Sequence, residues 1–394
     1  MSNIRFDHIK VKNLHEYAER VLGSAQPGQF IPITMQRALA HANNPYAAKD
    51  DIALLVAIDA DEEVVGFFGI LPLLLRRGEE LFKVHWFTTW SVSGKVRGQG
   101  VGAQLMAEAL SLKLDYLIVG SIHARRVCQK YGFWERAPLH YYWLDATGMG
   151  HLNPLVWLRR GMRKMVHLLR IKREVPLKTN FIKRVDNWFA PWTKKIIYQI
   201  LSGAADSLLA GARLEEVTRL REASTTPEPR PNVELHRGAD AVNWMLHHPW
   251  IVDEGQSVTE QMKYYFTDTR PMYRIFGVEI TSPEGEYLGF VTFSISRKSV
   301  DSVFLKMLDY QFARREDRRY AFALALRYGR QHQADTIEIP QEMAQYLRPR
   351  WLRKLLLHSK ARIYQCMPKA DDSPLAQAWE DLVFKLVDGD MAFS

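Results

Sequence analysis

The stretch VSGKVRGQGVGAQLMAEAL, residues 92–110, decides how this sequence folds. Glycine recurs at 98, 100 and 102, Arg97 precedes the three, and a helix-forming run follows. Glycine tolerates positive φ and lets a ligand approach the backbone. Backbone N–H groups that end at a helix N-terminus form an anion site, reinforced by the helix dipole. Arg97 adds a cation. The residues therefore describe a strand–loop–helix junction built to cradle a pyrophosphate; the plainer alternative is a tight turn that holds nothing.

Outward from the loop, the chain alternates strand and helix patterns. FDHIKVK reads as a strand and LHEYAERVLG as a helix. IALLVAIDA and EVVGFFGILPLLL form a hairpin across an acidic turn, and FKVHWFTTWSVS is a long strand leading into the loop. After the loop helix come the strand LDYLIVGSI, the helix HARRVCQKYGF and the strand LHYYWLD. The same order returns near the C-terminus. A hairpin turns at SPEGE, then VFLKMLDYQFA is a strand, RRYAFALALRYGRQHQ a helix and ADTIEIP a strand. EMAQYLRPRWLRKLLL reads as a helix, ARIYQCMP as a strand and PLAQAWEDLVFKL as a final helix. The repeated order reads as an internal duplication, with two unrelated α/β domains as the alternative. The expected fold is α/β, two tandem domains of mixed sheet flanked by helices. The expected divisions are 1–146, a basic helical linker at 147–230, and 231–394.

Other phosphate loops fit less well. The P-loop pattern Gly-Lys-Ser/Thr is absent. Gly98, Gly100 and Ala103 satisfy a dinucleotide fingerprint, but four strand or hairpin runs precede them and Asp115 arrives too early for the ribose. Instead VRGQGVG resembles the Arg/Gln-x-x-Gly-x-Gly/Ala loop of the GCN5-related N-acetyltransferases, carried by Arg97, Gly100 and Gly102. RRVCQKYGF resembles that family's second signature, a helix closing on Gly-Phe, and LIVGSI stands where its splayed strand runs. The resemblance covers about residues 1–145. It implies an acetyl-CoA-dependent N-acetyltransferase. In such an enzyme, Arg97, Gly98, Gln99, Gly100, Val101 and Gly102 hold the pyrophosphate, and the strand ending at Val92 meets the thioester and the pantetheine arm. No metal is implied.

The proton-transfer groups are left open. The family often places a tyrosine four residues before the Gly of Gly-Phe, as acid to the departing thiolate, and here Cys128 stands there. A thiol can donate a proton, but a small buried side chain on an apolar helix face reads equally well. Tyr141, on the following strand, is a second candidate acid. His85, on the strand into the loop, is a candidate base or a hydrogen-bonded core histidine.

The second half repeats the pattern without the glycines: RREDRRYAF follows VFLKMLDYQFA. It is expected to shape the acceptor pocket or serve as scaffold. VNWMLHHPWI and LVDGDMAF resemble tandem acetyltransferases of bacterial polysaccharide and cell-envelope synthesis. That resemblance implies an amino-sugar acceptor or an envelope-polysaccharide precursor. Two other outcomes stand beside it: a non-catalytic acyl-CoA-binding scaffold, and a longer-chain acyltransferase.

The chain has 394 residues, a net charge of +9 and two cysteines, Cys128 and Cys366, which offer no disulfide framework and suit a reducing cytoplasm. The N-terminus shows no apolar signal core, and no uncharged run approaches a span. Residues 151–201 hold 12 Lys/Arg against two acids, Glu174 and Asp186, with Leu and Met at helical spacing and Trp157, Trp188 and Trp192 interleaved. Three readings stand: a solvated linker helix, a peripheral contact with the inner membrane face, and non-specific nucleic-acid binding, the last without a base-reading module.

Overall fold

The computed structural model describes residues 4–147, 180–221, 231–253, 262–299 and 302–390. Its strands are β1 (Arg5–Lys10), β2 (Ile52–Ile58), β3 (Val64–Arg77), β4 (Glu80–Val92), β5 (Tyr116–Val119), β6 (Trp134–Glu135), β7 (Leu139–Asp145), β8 (Arg213–Val217), β9 (Val233–Leu235), β10 (Val252–Asp253) and β11 (Thr269–Arg270). They continue with β12 (Met272–Thr281), β13 (Tyr287–Ser299), β14 (Ser302–Phe312), β15 (Thr336–Pro340), β16 (Leu357–Arg362) and β17 (Tyr364–Met367). One mixed sheet runs β1-β2-β3-β4-β5-β17-β6, with β9 on the far end of β3, and the other runs β16-β7-β15-β14-β13-β12-β8. Helices flank both, so the α/β class of two mixed sheets is as the sequence led us to expect.

The two sheets repeat one arrangement in their register. In the first copy β4 pairs in parallel with β5 at His85–Tyr116, Trp86–Leu117 and Phe87–Ile118. In the second, β14 pairs in parallel with β15 at Phe304–Thr336, Leu305–Ile337 and Lys306–Glu338. Two residues beyond the last parallel pair each strand carries a bulge. Thr89 is the extra residue between Thr88 and Trp90 opposite β3, and Leu308 the extra residue between Met307 and Asp309 opposite β13. A bulge re-aims the strand and ends regular pairing, so both strand pairs part beyond it.

The strands that follow are exchanged between copies. LHYYWLD forms β7 but lies in the second sheet, between β15 and β16. ARIYQCMP holds the last two residues of β16, Ala361 and Arg362, and all of β17, and β17 inserts into the first sheet between β5 and β6. β8, inside the region read as linker, also joins the second sheet, beside β12. One apolar core spans the exchange: Trp86, Leu117 and Leu71 of the first sheet pack with Tyr364 and Cys366 of β17, Tyr141 of β7, and Trp379, Leu382 and Leu386 of the C-terminal segment.

Two expected helices are shorter than the sequence pattern. EMAQYLRPRWLRKLLL is a 3-10 turn over Gln341–Tyr346 and a separate helix over Trp351–Leu356. Pro349 lacks the N–H of a helical ladder, and its ring clashes with the preceding turn of a continuous helix. PLAQAWEDLVFKL is helical over Pro374–Ala378, capped by the Ser373 hydroxyl. Beyond it the Arg136 guanidinium takes the carbonyls of Glu380 and Leu382, which a continuing helix would use internally. In the basic region a helix covers Asn180–Ala210; residues 148–179, and with them Trp157 and most of the basic charge, lie outside the described residues. Among the described residues, no helix is long and apolar enough to cross a membrane.

Candidate active site

β4 delivers the chain to the loop. Thr89 adopts φ +34° at the bulge, and Gly69 opposite it is obligatory, since an added Cβ would stand 2.6 Å from Thr89 Oγ1 and 2.8 Å from Thr88 Cγ2. β5 ends at Val119, where Gly120 packs so tightly against Ala124 that a Cβ would come within 2.8 Å of it. Trp90 to Val92 therefore run on without a parallel neighbour, and a notch opens between β4 and β5.

The loop sits at the mouth of that notch. The Ser93 hydroxyl accepts from Lys95 N at 3.3 Å and closes a 3-10 turn, Gly94–Val96. Gly98 and Gly100 then take φ +85° and +82°, and a Cβ at either would meet nothing within 4 Å. Gly100 is the N-cap of the helix Val101–Ser111, which buries Val101, Leu105, Met106 and Ala109 against the sheet. The first-turn amides of a helix have no partner within it, and here they face open space with the exposed Arg97 beside them. Gly102 lies where a Cβ would touch Val92 Cγ2 at 3.4 Å and the Trp90 indole at 3.5 Å. The residues expected for the pyrophosphate, Arg97 to Gly102, and Val92 are thus gathered at one place with anion-binding chemistry.

The corresponding junction in the second copy, RREDRR, has no glycine and places carboxylates among arginines at the helix start. Its helix, Arg318–Gln331, starts with Asp317 at the N-cap and Glu316 before it. Carboxylates at a helix N-terminus suit the dipole and repel a phosphate. The gap beyond Leu308 is a cavity of about 390 Å³, and Arg237, buried on its wall, bonds Asp309 at 3.2 Å and Asp388 at 2.5 Å.

The candidate proton-transfer residues are dispersed. Cys128 is fully buried among Phe87, Tyr116, Met106 and Phe133, and burial pushes its thiol up to about 12. His85 is buried against Tyr116, four residues before the Thr89 bulge, and burial holds its imidazole down at about 4. Tyr141 reaches a different place: a cavity of about 410 Å³ between the two sheets, where it stacks on Arg362 at 4.6 Å.

That cavity meets the first-copy notch through Asp390. Its Oδ2 accepts from Thr88 Oγ1 at 3.0 Å, one residue before the bulge, and its Oδ1 is buried without a partner. Burial raises the Asp390 carboxyl above the usual range, while the Thr88 hydroxyl and the charges of Arg37 and Lys306 draw it back. The turn that presents it is tightly specified. Asp388 is held by Arg237 and by Lys385 N at 2.6 Å. Gly389 takes φ +73° and lies so close to the Trp86 indole that no Cβ could fit. Sequence reading singled out LVDGDMAF but not Asp390 itself. Its Asp-Gly-Asp turn was the available signal; its place beside Thr88 was not.

Among the described residues, no three His, Cys, Asp or Glu side chains converge as a metal site. No protein-family model and no curated protein matches the sequence. Among solved structures, a GCN5-related N-acetyltransferase from Anabaena variabilis is similar at 10% identity, over 93% of this chain and 73% of that one, with a TM-score of 0.46. The N-myristoyltransferase of Saccharomyces cerevisiae with bound myristoyl-CoA is similar at 11% identity, over 93% and 79%, also with a TM-score of 0.46.

Proposed function

We propose that this protein is an acyl-CoA-dependent N-acyltransferase that moves an acetyl group from acetyl-CoA to a small amine, with an amino sugar or envelope-polysaccharide precursor as the acceptor class. The observation that carries the reading is the bulged β4 parting from β5 beside an open, glycine-lined helix N-terminus. Backbone amides from Arg97 to Gly102 hold the pyrophosphate. The notch beside Val92 takes the pantetheine arm. The acceptor enters the cavity between the sheets.

The chemistry needs a proton acceptor where the amine attacks. Asp390 fits: it is hydrogen-bonded to Thr88 at the bulge, has a free buried oxygen, and holds its proton more tightly than a solvent-exposed carboxylate, which suits a base near neutral pH. Asp390 takes a proton from the ammonium, the freed amine nitrogen bonds to the acyl carbon, the carbon–sulfur bond breaks, and the remaining surplus amine proton passes to the departing thiolate. Cys128 and His85 then serve as packing residues of the first copy, and Tyr141 as a wall of the acceptor cavity.

Calorimetric titration with acetyl-CoA, palmitoyl-CoA and NAD, beside Gly100→Trp, tests the donor. The expected result is acetyl-CoA binding that the variant loses, because a side chain there points into the cradle. Preference for palmitoyl-CoA would establish the longer-chain alternative. Binding without thiol release for any amine would establish the scaffold. NAD binding, or unchanged acetyl-CoA affinity in the variant, would overturn the loop assignment.

A second proposal concerns residues 151–201, which we infer meet an anionic membrane surface. On the helix Asn180–Ala210, Trp192, Ile196 and Ile200 recur at four-residue spacing and are 66%, 53% and 52% exposed. An apolar stripe on a basic helix is the pattern of interfacial anchors.

A further inference from the structure

The cavity between the sheets has a charge imbalance that its own residues do not resolve. Its walls carry four cations, Arg37, Arg270, Lys306 and Arg362, against two carboxylates, Glu338 and Asp390. Glu338 is already engaged: it bonds Arg362 at 3.1 Å and accepts from Trp143 Nε1 at 2.8 Å. Arg37 and Arg270 stand differently. Arg37 is 5% exposed and lies over the Trp250 ring at 4.3 Å. Among the described residues its guanidinium donates to the Thr267 carbonyl at 3.4 Å, and its Nε is buried with no partner. The Nε of Arg270 is likewise buried and unpartnered. Among the described residues neither guanidinium forms an ion pair with a carboxylate.

A guanidinium with a buried, unsatisfied N–H and no direct ion pair is costly, and such a group lining a cavity is poised to bind an anion. The guanidinium fork matches carboxylate and phosphate oxygens two at a time. An acceptor amine arrives as an ammonium, and a cavity with this surplus of positive charge repels a plain cation. The repulsion is removed if the molecule brings an anion of its own. Asp390 lines the same cavity at its Thr88 end, so amine and anion would be met by groups of opposite sign.

We propose that the acceptor is an amine that also carries an anionic group, a carboxylate or a phosphate ester, bound by Arg37 and Arg270 while Asp390 faces the amine. This rests on the N-acyltransferase reading above.

The test uses two matched pairs of acceptors on the full-length protein saturated with acetyl-CoA: glucosamine 6-phosphate against glucosamine, and phenylalanine against phenylalaninamide. Thiol release gives kcat/KM and calorimetry gives Kd. A charge-assisted hydrogen-bonded pair in a buried site predicts that an anionic member exceeds its neutral partner by about tenfold or more in both. The pair that shows the preference separates phosphate from carboxylate. Arg270→Gln should raise KM for the anionic acceptor at least tenfold more than for its neutral partner, with acetyl-CoA affinity retained. Arg270 is the more exposed of the two, which makes this variant the safer one to fold. Equal performance within both pairs overturns the proposal. So does failure of both anionic amines to bind, or a preference that survives Arg270→Gln and Arg37→Gln alike. Loss of acetyl-CoA binding by the wild type would instead bring down the donor reading.

Discussion

Gly389→Ala adds one methyl group and should abolish the proposed acyl transfer without affecting the proposed acetyl-CoA cradle. At Gly389 the φ is +73°, which costs an alanine about 1–2 kcal/mol. The added Cβ would also overlap the indole of Trp86, which is fully buried in the shared core and has nowhere to go. Carbon atoms in contact keep ~3.5–4.0 Å apart, so the turn must retreat by on the order of 1 Å. Overpacking of this kind costs about 1–3 kcal/mol. The Thr88–Asp390 bond, 3.0 Å in the native turn, does not survive such a retreat. Misplacing a catalytic group by ~1 Å can cost about 10²-fold, and removing a general base costs about 10²–10⁴-fold. The expected result is a kcat/KM for thiol release at least about 100-fold down, matching Asp390→Asn, with acetyl-CoA Kd unchanged and the melting temperature a few degrees lower. Asp390→Asn leaves packing nearly intact and so isolates the charge. Activity near wild type in both variants would refute the base assignment. Parallel loss of acetyl-CoA affinity in Gly389→Ala would show that the damage spreads through Trp86 and β4 rather than staying at the turn.

Cys128→Ala should leave kcat/KM within about twofold and lower stability by about 1–3 kcal/mol, because the thiol fills core space; a 100-fold loss of kcat with the fold intact would restore Cys128 as the acid. Stability should fall as pH drops from 6.5 to 4. An unfolded histidine takes a proton near 6.5, whereas burial holds His85 at about 4 and His41 at about 3. The folded state's advantage is thus complete above 6.5 and lost as the unfolded chain takes up protons below it. His85 alone contributes about 3 kcal/mol by pH 4, and His85→Gln should flatten that part of a urea-midpoint profile. Removing the charges of Arg159, Arg160, Arg163 and Lys164 should release the protein from phosphatidylserine vesicles in a flotation assay, as should Trp192→Ser. Wild-type protein that never floats ends the membrane proposal.

Local chemistry made the first copy legible. Three spaced glycines after an aromatic, β-branched strand define a strand-to-loop-to-helix junction by backbone sterics alone, and the structure puts Gly98 and Gly100 in the left-handed region. The hairpins, most of the strands and the repeated order of elements were legible because two-residue and 3.6-residue periodicities are local properties. The end of the helical run after Ala378 was not, because Arg136, more than 240 residues earlier in the chain, takes the carbonyls that would have continued it. The exchange of β7 and β17 was equally hidden. Either strand satisfies the pattern for its own sheet, and only the packing of Tyr141, Tyr364 and Cys366 into one shared core chooses between them.

The same divide runs through the candidate site. The sequence by itself determined the proposed anion cradle, because every residue of it lies within one strand–loop–helix unit. Tertiary structure decided the rest. Thr88 and Asp390, or Arg37 and Arg270, are brought to one cavity by the pairing of two sheets, and nothing in the spacing of those residues along the chain records their meeting.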